Sequence, residues 1–264
     1  MSTDQPHAHT SPVPRLDVRA AGFDDIRAAL GAGLRDTVAS PVLSLFFGLV
    51  CALFGAVLVS SLVVYDQILI AVAAGVGFPL VAPFLAAGLY EISRRRSRGE
   101  SYRASDIFLV VFAQRGRQLG WMSFVVLFVF WMWAYQVRLV MALTLGYRGM
   151  SSLEAFADVL LTTSQGASFL IVGTIVGAVL STILYSLTVI SMPLLLDKEI
   201  DFITAMITSV KTVLASPAVM LIWGAAVGAL TLLAIAPALL GVIVIFPILG
   251  HTTWHLYDRL VFEK

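Results

Sequence analysis

Charge is scarce in this sequence, and cysteine is almost absent. Charged residues make up 12% of the chain and hydrophobic residues 59%, which is too little polarity for a soluble chain of 264 residues. The composition therefore predicts an integral membrane protein. Cys51 is the single cysteine, so an internal disulfide and a cysteine-based metal cluster are both excluded. The sequence also lacks a nucleotide-binding loop, a metalloprotease motif, a nucleophile–base pair and a carboxylate dyad. We expect no enzymatic activity, no cofactor and no nucleic-acid partner.

Long apolar runs begin only after a polar, proline-rich start. We expect residues 1–22 to form a disordered cytoplasmic tail and residues 23–264 to form a single membrane domain. A helix needs roughly 20 mostly apolar residues to cross the hydrocarbon core. Six segments meet this condition: Pro41–Val64, Ile68–Ile92, Trp121–Leu145, Ala167–Leu196, Pro217–Ile235 and Ala238–Leu256.

The positive charges alternate strongly between the loops. Arginine and lysine cluster before the first segment, between the second and third, between the fourth and fifth, and after the sixth, whereas the opposite loops contain only Arg148. Because positively charged loops stay in the cytoplasm, this distribution predicts that both termini are cytoplasmic.

An internal repeat organises the chain. Asp25 precedes Pro41 by sixteen positions, Asp201 precedes Pro217 by the same interval, and both prolines open an apolar hairpin. A middle copy begins at Asp106. The predicted fold is therefore an all-α polytopic membrane protein with six transmembrane helices in three hairpin repeats, about 23–96, 104–198 and 199–259. Each hairpin follows a short cytoplasmic interfacial helix that the Asp caps. Parallel repeats of this kind imply approximate threefold symmetry about the membrane normal.

The short helices are amphipathic. In the first, large apolar residues recur at helical spacing: Phe23, Ile26, Leu30, Leu34 and Val38. Such helices either lie in the plane of the membrane interface or cap the inner mouth of the bundle, and the pattern favours neither. In the loop after the third span, Ser151 and Glu154 have the spacing of a capping box, which predicts a short external helix.

Four runs of sequence resemble a known family. They are Pro79–Arg95, Ser191–Lys198, Ala205–Pro217 and Gly250–Tyr257. Together they are similar to a prokaryotic family of uncharacterised integral membrane proteins, some of whose members are labelled putative cytochrome c oxidase subunits. The resemblance implies a bacterial inner-membrane protein with about six spans and lends no catalytic residues. Oxidase subunits bind haem and copper through histidines on several helices, and here the predicted spans contain only His251 and His255.

His251 and His255 are the first candidate site. They lie four positions apart on one face of the sixth segment, a spacing that can share a metal or axial-ligand site. Asp197 or Glu91 could contribute from neighbouring helix ends. The alternative, which we favour, is that both imidazoles form hydrogen bonds at the inner interface.

Charged and polar residues of the spans supply further candidates. Arg138 lies inside the third segment near its outer end, where Glu154, Asp158 or Asp66 could pair with it, and Gln136 lies two positions earlier. A charge inside a span suggests function, although a structural anchor is the favoured explanation for Arg138. The run Arg94, Arg95 and Arg96 could attract anionic lipid headgroups or could simply set the topology.

Two functions remain open. The first, which we favour by a small margin, is an accessory or scaffold protein that binds lipids or another membrane complex through its aromatic and small-residue surfaces. The second is a transporter or channel for a small solute, supported by hydroxyl groups on the fourth segment. Small residues at four-residue spacing, such as Gly173 and Gly177, predict close helix contacts.

Overall fold

A computed structural model describes residues 16–65, 67–146 and 153–264, and helices dominate this part of the chain. The helices are α1 (Phe23–Ala39), α2 (Pro41–Val63), α3 (Ile68–Ser97), α4 (Ala104–Ala113), α5 (Gln118–Thr144), α6 (Leu153–Thr162), α7 (Ser164–Thr188), α8 (Ser191–Asp197), α9 (Phe202–Ala215), α10 (Pro217–Ile235) and α11 (Val242–Leu260). Two three-residue strands complete the fold, β1 (Leu16–Val18) and β2 (Val261–Glu263). The predicted all-α membrane class is confirmed except for this small ribbon.

Among the described residues, five helical segments are long and apolar enough to cross a membrane: α2, α3, α5, α7 together with α8, and α10. The sixth predicted span is not among them. Residues 236–241 form a turn, in which Ala238 and Leu239 adopt positive φ angles of 50° and 68°. Consequently α11 starts at Val242, and its second half carries the two histidines. The count of six spans stays a prediction.

The fourth predicted span is not one continuous helix. It breaks at Val189 and Ile190, between α7 and α8. Pro193 explains the break, because proline has no N–H for the carbonyl four residues earlier and its ring crowds that carbonyl.

Helix α1 packs chiefly against α11, and it does so through its small residues. Ala29, Gly33, Asp36 and Thr37 are buried. Of the predicted apolar stripe, Ile26 and Leu30 are half-buried against the core, whereas Phe23, Leu34 and Val38 are exposed. Helix α9 behaves similarly, since it buries a face rich in alanine, serine and threonine. Helix α1 therefore covers α11 with one face and leaves part of its apolar stripe exposed, and its location in the membrane interface stays a prediction.

The three repeated aspartates all act at helix N-termini, in two different ways. Asp201 is the N-cap of α9, and its Oδ1 accepts a 2.8 Å hydrogen bond from the Thr204 N–H. Asp25 and Asp106 instead lie in the first turn of α1 and α4, and each accepts the N–H of its N-cap residue. The short helix predicted after the third span is present as α6, although Ser151 lies outside the described residues, and its external location stays a prediction.

A short helix precedes each of α2, α5 and α10, while the three hairpin repeats stay a prediction. Ser40 and Ser216, which precede the prolines of α2 and α10, have similar backbone angles (φ −130°, ψ 54° and φ −151°, ψ 66°). The middle unit differs, because a 3-10 turn, Gln114–Gly116, joins its short helix to α5. Threefold symmetry of the whole bundle stays a prediction.

The two ends of the described chain meet in an antiparallel ribbon. Leu16 pairs with Glu263, and Val18 pairs with Val261. Just beyond the ribbon, the Ala21 N–H donates a 2.9 Å hydrogen bond to Ser216 Oγ. The prediction of a disordered tail through residue 22 is therefore wrong for residues 16–22, because backbone pairing across the whole length of the sequence orders them. Residues 1–15 lie outside the described part.

Candidate functional site

Asp36 is the centre of a buried polar network that joins helices α1, α3 and α11. Its Oδ2 accepts hydrogen bonds from Ser93 Oγ (2.7 Å) and His255 Nε2 (2.7 Å). Its Oδ1 accepts one from Arg96 Nε (2.9 Å). The carboxylate is thus held by three donors from two other helices, which is how a buried charge becomes tolerable.

Glycine lets α1 approach α11 closely enough for these bonds. A Cβ at Gly33 would lie against the Thr252 hydroxyl and 2.7 Å from the Thr252 backbone nitrogen. Gly48 plays the same part between α2 and α11, where a Cβ would collide with the backbone of Ile243. Small residues at such crossings bring helix backbones together inside a membrane protein.

The second imidazole, of His251, extends the network to α2. His251 is fully buried, with Nδ1 2.8 Å from Ser93 Oγ and Nε2 2.9 Å from Ser44 Oγ. Because the single Ser93 proton is donated to Asp36, Ser93 Oγ must accept the Nδ1 proton of His251. Burial disfavours the charged ring, so Nε2 accepts the Ser44 hydroxyl proton. The chain of donors runs Ser44, His251, Ser93, Asp36.

The pKa of Asp36 reflects these contacts. Burial by itself would raise this pKa, but hydrogen bonds from His255, Ser93 and Arg96 outweigh burial and lower it from 3.8 to about 2. Asp36 is therefore ionised at any physiological pH, and the network carries a permanent negative charge facing Arg96.

Glu91 forms a second polar cluster on α3, two positions before Ser93. Its carboxylate is fully buried and accepts bonds from Arg94 Nε (2.7 Å), Arg94 Nη2 (2.9 Å) and Arg95 Nε (2.6 Å). With Arg96 bound to Asp36, all three arginines considered for lipid headgroups already have internal carboxylate partners. An anionic headgroup would have to displace them.

Asp197 forms the third cluster, at the end of α8. Tyr257 donates a 2.9 Å hydrogen bond to Asp197 Oδ2, and Arg98 Nη2 lies 2.7 Å from Oδ1. The structure therefore brings four of the predicted polar residues to the same arginine-rich end of the bundle, namely Glu91, Asp197, His251 and His255. They belong to neighbouring clusters and share no common ligand position.

Arg138 and Gln136 lie apart from these clusters, in the second half of α5. Arg138 is exposed, and Gln136 is half-buried. Of the three acidic partners considered for Arg138, the described Asp158 forms no ion pair with it. Asp66 and the Glu154 side chain lie outside the described residues. The structure therefore connects neither Arg138 nor Gln136 to the polar network.

The network does not have the form of a metal centre or an open catalytic site. Within the described ranges, no three His, Cys, Asp or Glu side chains are grouped to hold a metal ion. Both ring nitrogens of His251 are engaged with serines, and His255 Nε2 binds Asp36. The Ser44 hydroxyl is fully buried beside its histidine, so no substrate reaches it in this conformation. The hydrogen bonds of the network join four helices, α1, α2, α3 and α11.

Sequence reasoning missed Asp36, Ser93 and Ser44. Asp36 stood on the face of α1 opposite the large apolar stripe, which suggested that it faced water. A usable signal was present, because Ala29, Gly33 and Thr37 surround Asp36 on one helical face and small residues mark tight packing.

The comparison with known proteins agrees with the membrane class. Residues 70–197 match a family model described as "Predicted integral membrane protein (DUF2189)". This stretch, just under half of the chain, covers most of α3 and continues to the end of α8. It includes Glu91 and Asp197 but neither Asp36 nor the histidines. No significant match was found among curated proteins or among solved structures. The chain is thus similar to an uncharacterised membrane family, and the match assigns no activity.

Proposed function

We propose that this protein is an accessory or scaffold protein of the bacterial inner membrane that binds another membrane complex through the lateral faces of α5 and α7. A respiratory complex is one candidate partner, in keeping with the oxidase label in the resembling family. The observation that carries the proposal is the low burial of these helices. Of the most apolar 18-residue stretch of α5, only 6% is buried. Of the corresponding stretch of the α7–α8 segment, none is buried.

The composition of these faces supports a protein partner. Six large aromatic residues of α5 are exposed, namely Trp121, Phe124, Phe128, Trp131, Trp133 and Tyr135. On α7, a Cβ added at Gly173 or Gly177 would meet nothing within 4 Å. Glycines at this spacing favour close helix approach, yet they lack a neighbour among the described residues. A helix supplied by a partner would give them one.

The alternative, a small-solute transporter or channel, has less support. The hydroxyls of Ser186 and Thr188 donate to carbonyls of their own helix at 2.7 Å, so they need no solute. The cavity between α2, α3, α5, α10 and α11 has a volume of about 320 Å³. Phe54, Phe78 and Phe246 are among its predominantly apolar lining. An ion or polar solute would find few partners there.

The topology we propose has six crossings with both termini in the cytoplasm. The β1–β2 ribbon supports it, because strands that pair in this way lie on the same side of the membrane and require an even number of crossings. Five segments span by length and composition. The sixth crossing would then begin at the 236–241 turn, on the outer side, and run through the apolar first half of α11.

Affinity purification from native membranes tests the scaffold function. Gly177→Leu adds bulk to the open glycine face of α7, and Ala178→Leu adds similar bulk to an adjacent face as a control. We expect one membrane complex to co-purify with the wild type and with Ala178→Leu, and to be lost with Gly177→Leu. Purification of a lone protein that carries solute flux in proteoliposomes would contradict the proposal and favour transport.

A further inference from the structure

A groove between α3, α4 and α5 opens at the arginine-rich end of the bundle. It has a volume of about 730 Å³. Leu80, Val81 and Phe84 of α3 form one wall, and Trp121 and Phe124 of α5 form the other. These two aromatic side chains are 58% and 59% exposed, so they form a lip at the surface that faces the bilayer. The walls suit a hydrocarbon chain.

Arg117 gives the rim of the groove a positive charge. It is the N-cap residue of α5, and no side chain caps this helix end. The free N–H groups and the helix dipole add to the positive potential there. The Arg117 guanidinium contacts Glu199 at 3.2 Å, but the Glu199 side chain is 90% exposed. An ion pair with so exposed a carboxylate is easily exchanged for another anion.

Ser123 supplies an independent sign of a ligand deeper in the groove. It lines the groove and is only 3% exposed, yet its Oγ has no hydrogen-bond partner among the described residues. Buried hydroxyls are rarely left unpaired in native proteins. Along α5, Ser123 lies six residues beyond Arg117, which is about 9 Å at the rise of an α-helix.

We propose that this groove binds one anionic glycerophospholipid of the inner leaflet. Arg117 and the α5 N-terminus hold the phosphate, the Ser123 hydroxyl donates to an ester carbonyl beneath it, and the apolar walls take an acyl chain. This assignment differs from the headgroup role considered for Arg94, Arg95 and Arg96, whose guanidiniums bind internal carboxylates. It does not depend on the scaffold function.

Native mass spectrometry of the purified full-length chain, titrated with phosphatidylglycerol or phosphatidylcholine, tests the proposal. Arg117→Gln should bind phosphatidylglycerol about fivefold more weakly, the loss expected for one basic residue at a membrane surface. Its affinity for phosphatidylcholine should change less. The control Arg103→Gln removes an exposed arginine outside the groove lining and should behave as wild type.

Ser123→Ala tests the role of the hydroxyl independently of the Arg117 charge. Because both lipids carry ester carbonyls, the variant should bind both of them more weakly than the wild type does. Equal affinity of the wild type for the two lipids would overturn the proposal, as would unchanged phosphatidylglycerol binding by Arg117→Gln. If Arg117→Gln folds poorly, Ser123→Ala decides alone, and unchanged binding of both lipids overturns the proposal. Glycerol 3-phosphate should not compete. Competition by it would identify a site for free phosphate instead of a lipid.

Discussion

Asp36 on α1 and His255 on α11 are 219 positions apart in the sequence and are joined by a 2.7 Å hydrogen bond. The bond joins α1 to α11, the first and last helices of the described residues. It also places a carboxylate where water is largely excluded, so that the stability of the bundle depends on the donors around this one side chain.

Asp36→Asn should strongly destabilise the protein. The neutral amide loses the charge that faces Arg96 and cannot accept all three hydrogen bonds. Removing one partner from a buried charged network typically costs about 3–5 kcal/mol. Thermal unfolding in detergent should show a lower midpoint than wild type. The matched control is Asp24→Asn on the exposed side of the same helix, which should leave the midpoint nearly unchanged. Equal midpoints for both variants would show that Asp36 contributes no stability.

The contribution of Asp36 to the stability of the fold should decrease as the pH falls. Its pKa is lower in the folded protein, about 2, than the ordinary value of 3.8. The folded state therefore binds this proton less readily than the unfolded state. The stabilisation is fully present above about pH 4 and is lost as the pH falls towards 2. Linkage gives about 2 kcal/mol for this pH-dependent part. The free energies of unfolding of the wild type and of Asp36→Asn should therefore approach each other by about 2 kcal/mol between pH 6 and pH 2. A difference that stays constant over this range would contradict the prediction.

Gly33→Ala should separate α1 from α11. The added methyl group would overlap backbone and side-chain atoms of Thr252. Overpacking of this kind costs about 1–3 kcal/mol. Gly31→Ala is the matched control on the same helix, because its Cβ would lie 3.5 Å from the flexible end of Arg35. That control should raise stability slightly, since alanine favours helix. If Gly33→Ala unfolds at the same temperature as Gly31→Ala, the close approach of α1 and α11 is not present in solution.

The six-crossing topology predicts opposite labelling of two positions. Cys51 is the single cysteine, so Cys51→Ala provides a background for introduced thiols. In this background, Leu240→Cys in the α10–α11 turn should react with an impermeant maleimide added to intact cells. Glu100→Cys after α3 should react only after the cells are permeabilised. Both positions are exposed, so burial does not limit the reaction. Labelling of both positions from the same side would rule out a crossing by α11.

Much of the helical framework could be predicted from local sequence. The start of α2 at Pro41 and both ends of α10 agree with the structure, since proline and turn residues bound long apolar runs there. The packing of α1 could not be predicted in the same way. Large apolar residues mark the buried face of a helix in water, but in a bilayer they can face lipid while small and polar residues pack inside.

The polar network escaped the sequence analysis for a related reason. His251 and His255 were recognised by their spacing, but their partners Asp36 and Ser93 come from distant parts of the chain, and no local period links them. The same holds for Asp197, whose partners Arg98 and Tyr257 are distant in the sequence. Glu91 differs, because its partners Arg94 and Arg95 lie three and four positions later on the same helix, a spacing that was present in the local sequence.

The terminal ribbon sets an order of events during biosynthesis. Strand β1 is synthesised before α1 and its partner β2 after α11, so the ribbon can close only after every helix between them has been made. Until then the Asp36 carboxylate has no imidazole beside it. A chain that stops before α11 can still pair Asp36 with Ser93 and Arg96 of α3 but lacks the His255 hydrogen bond, so the network is complete only once α11 has been made.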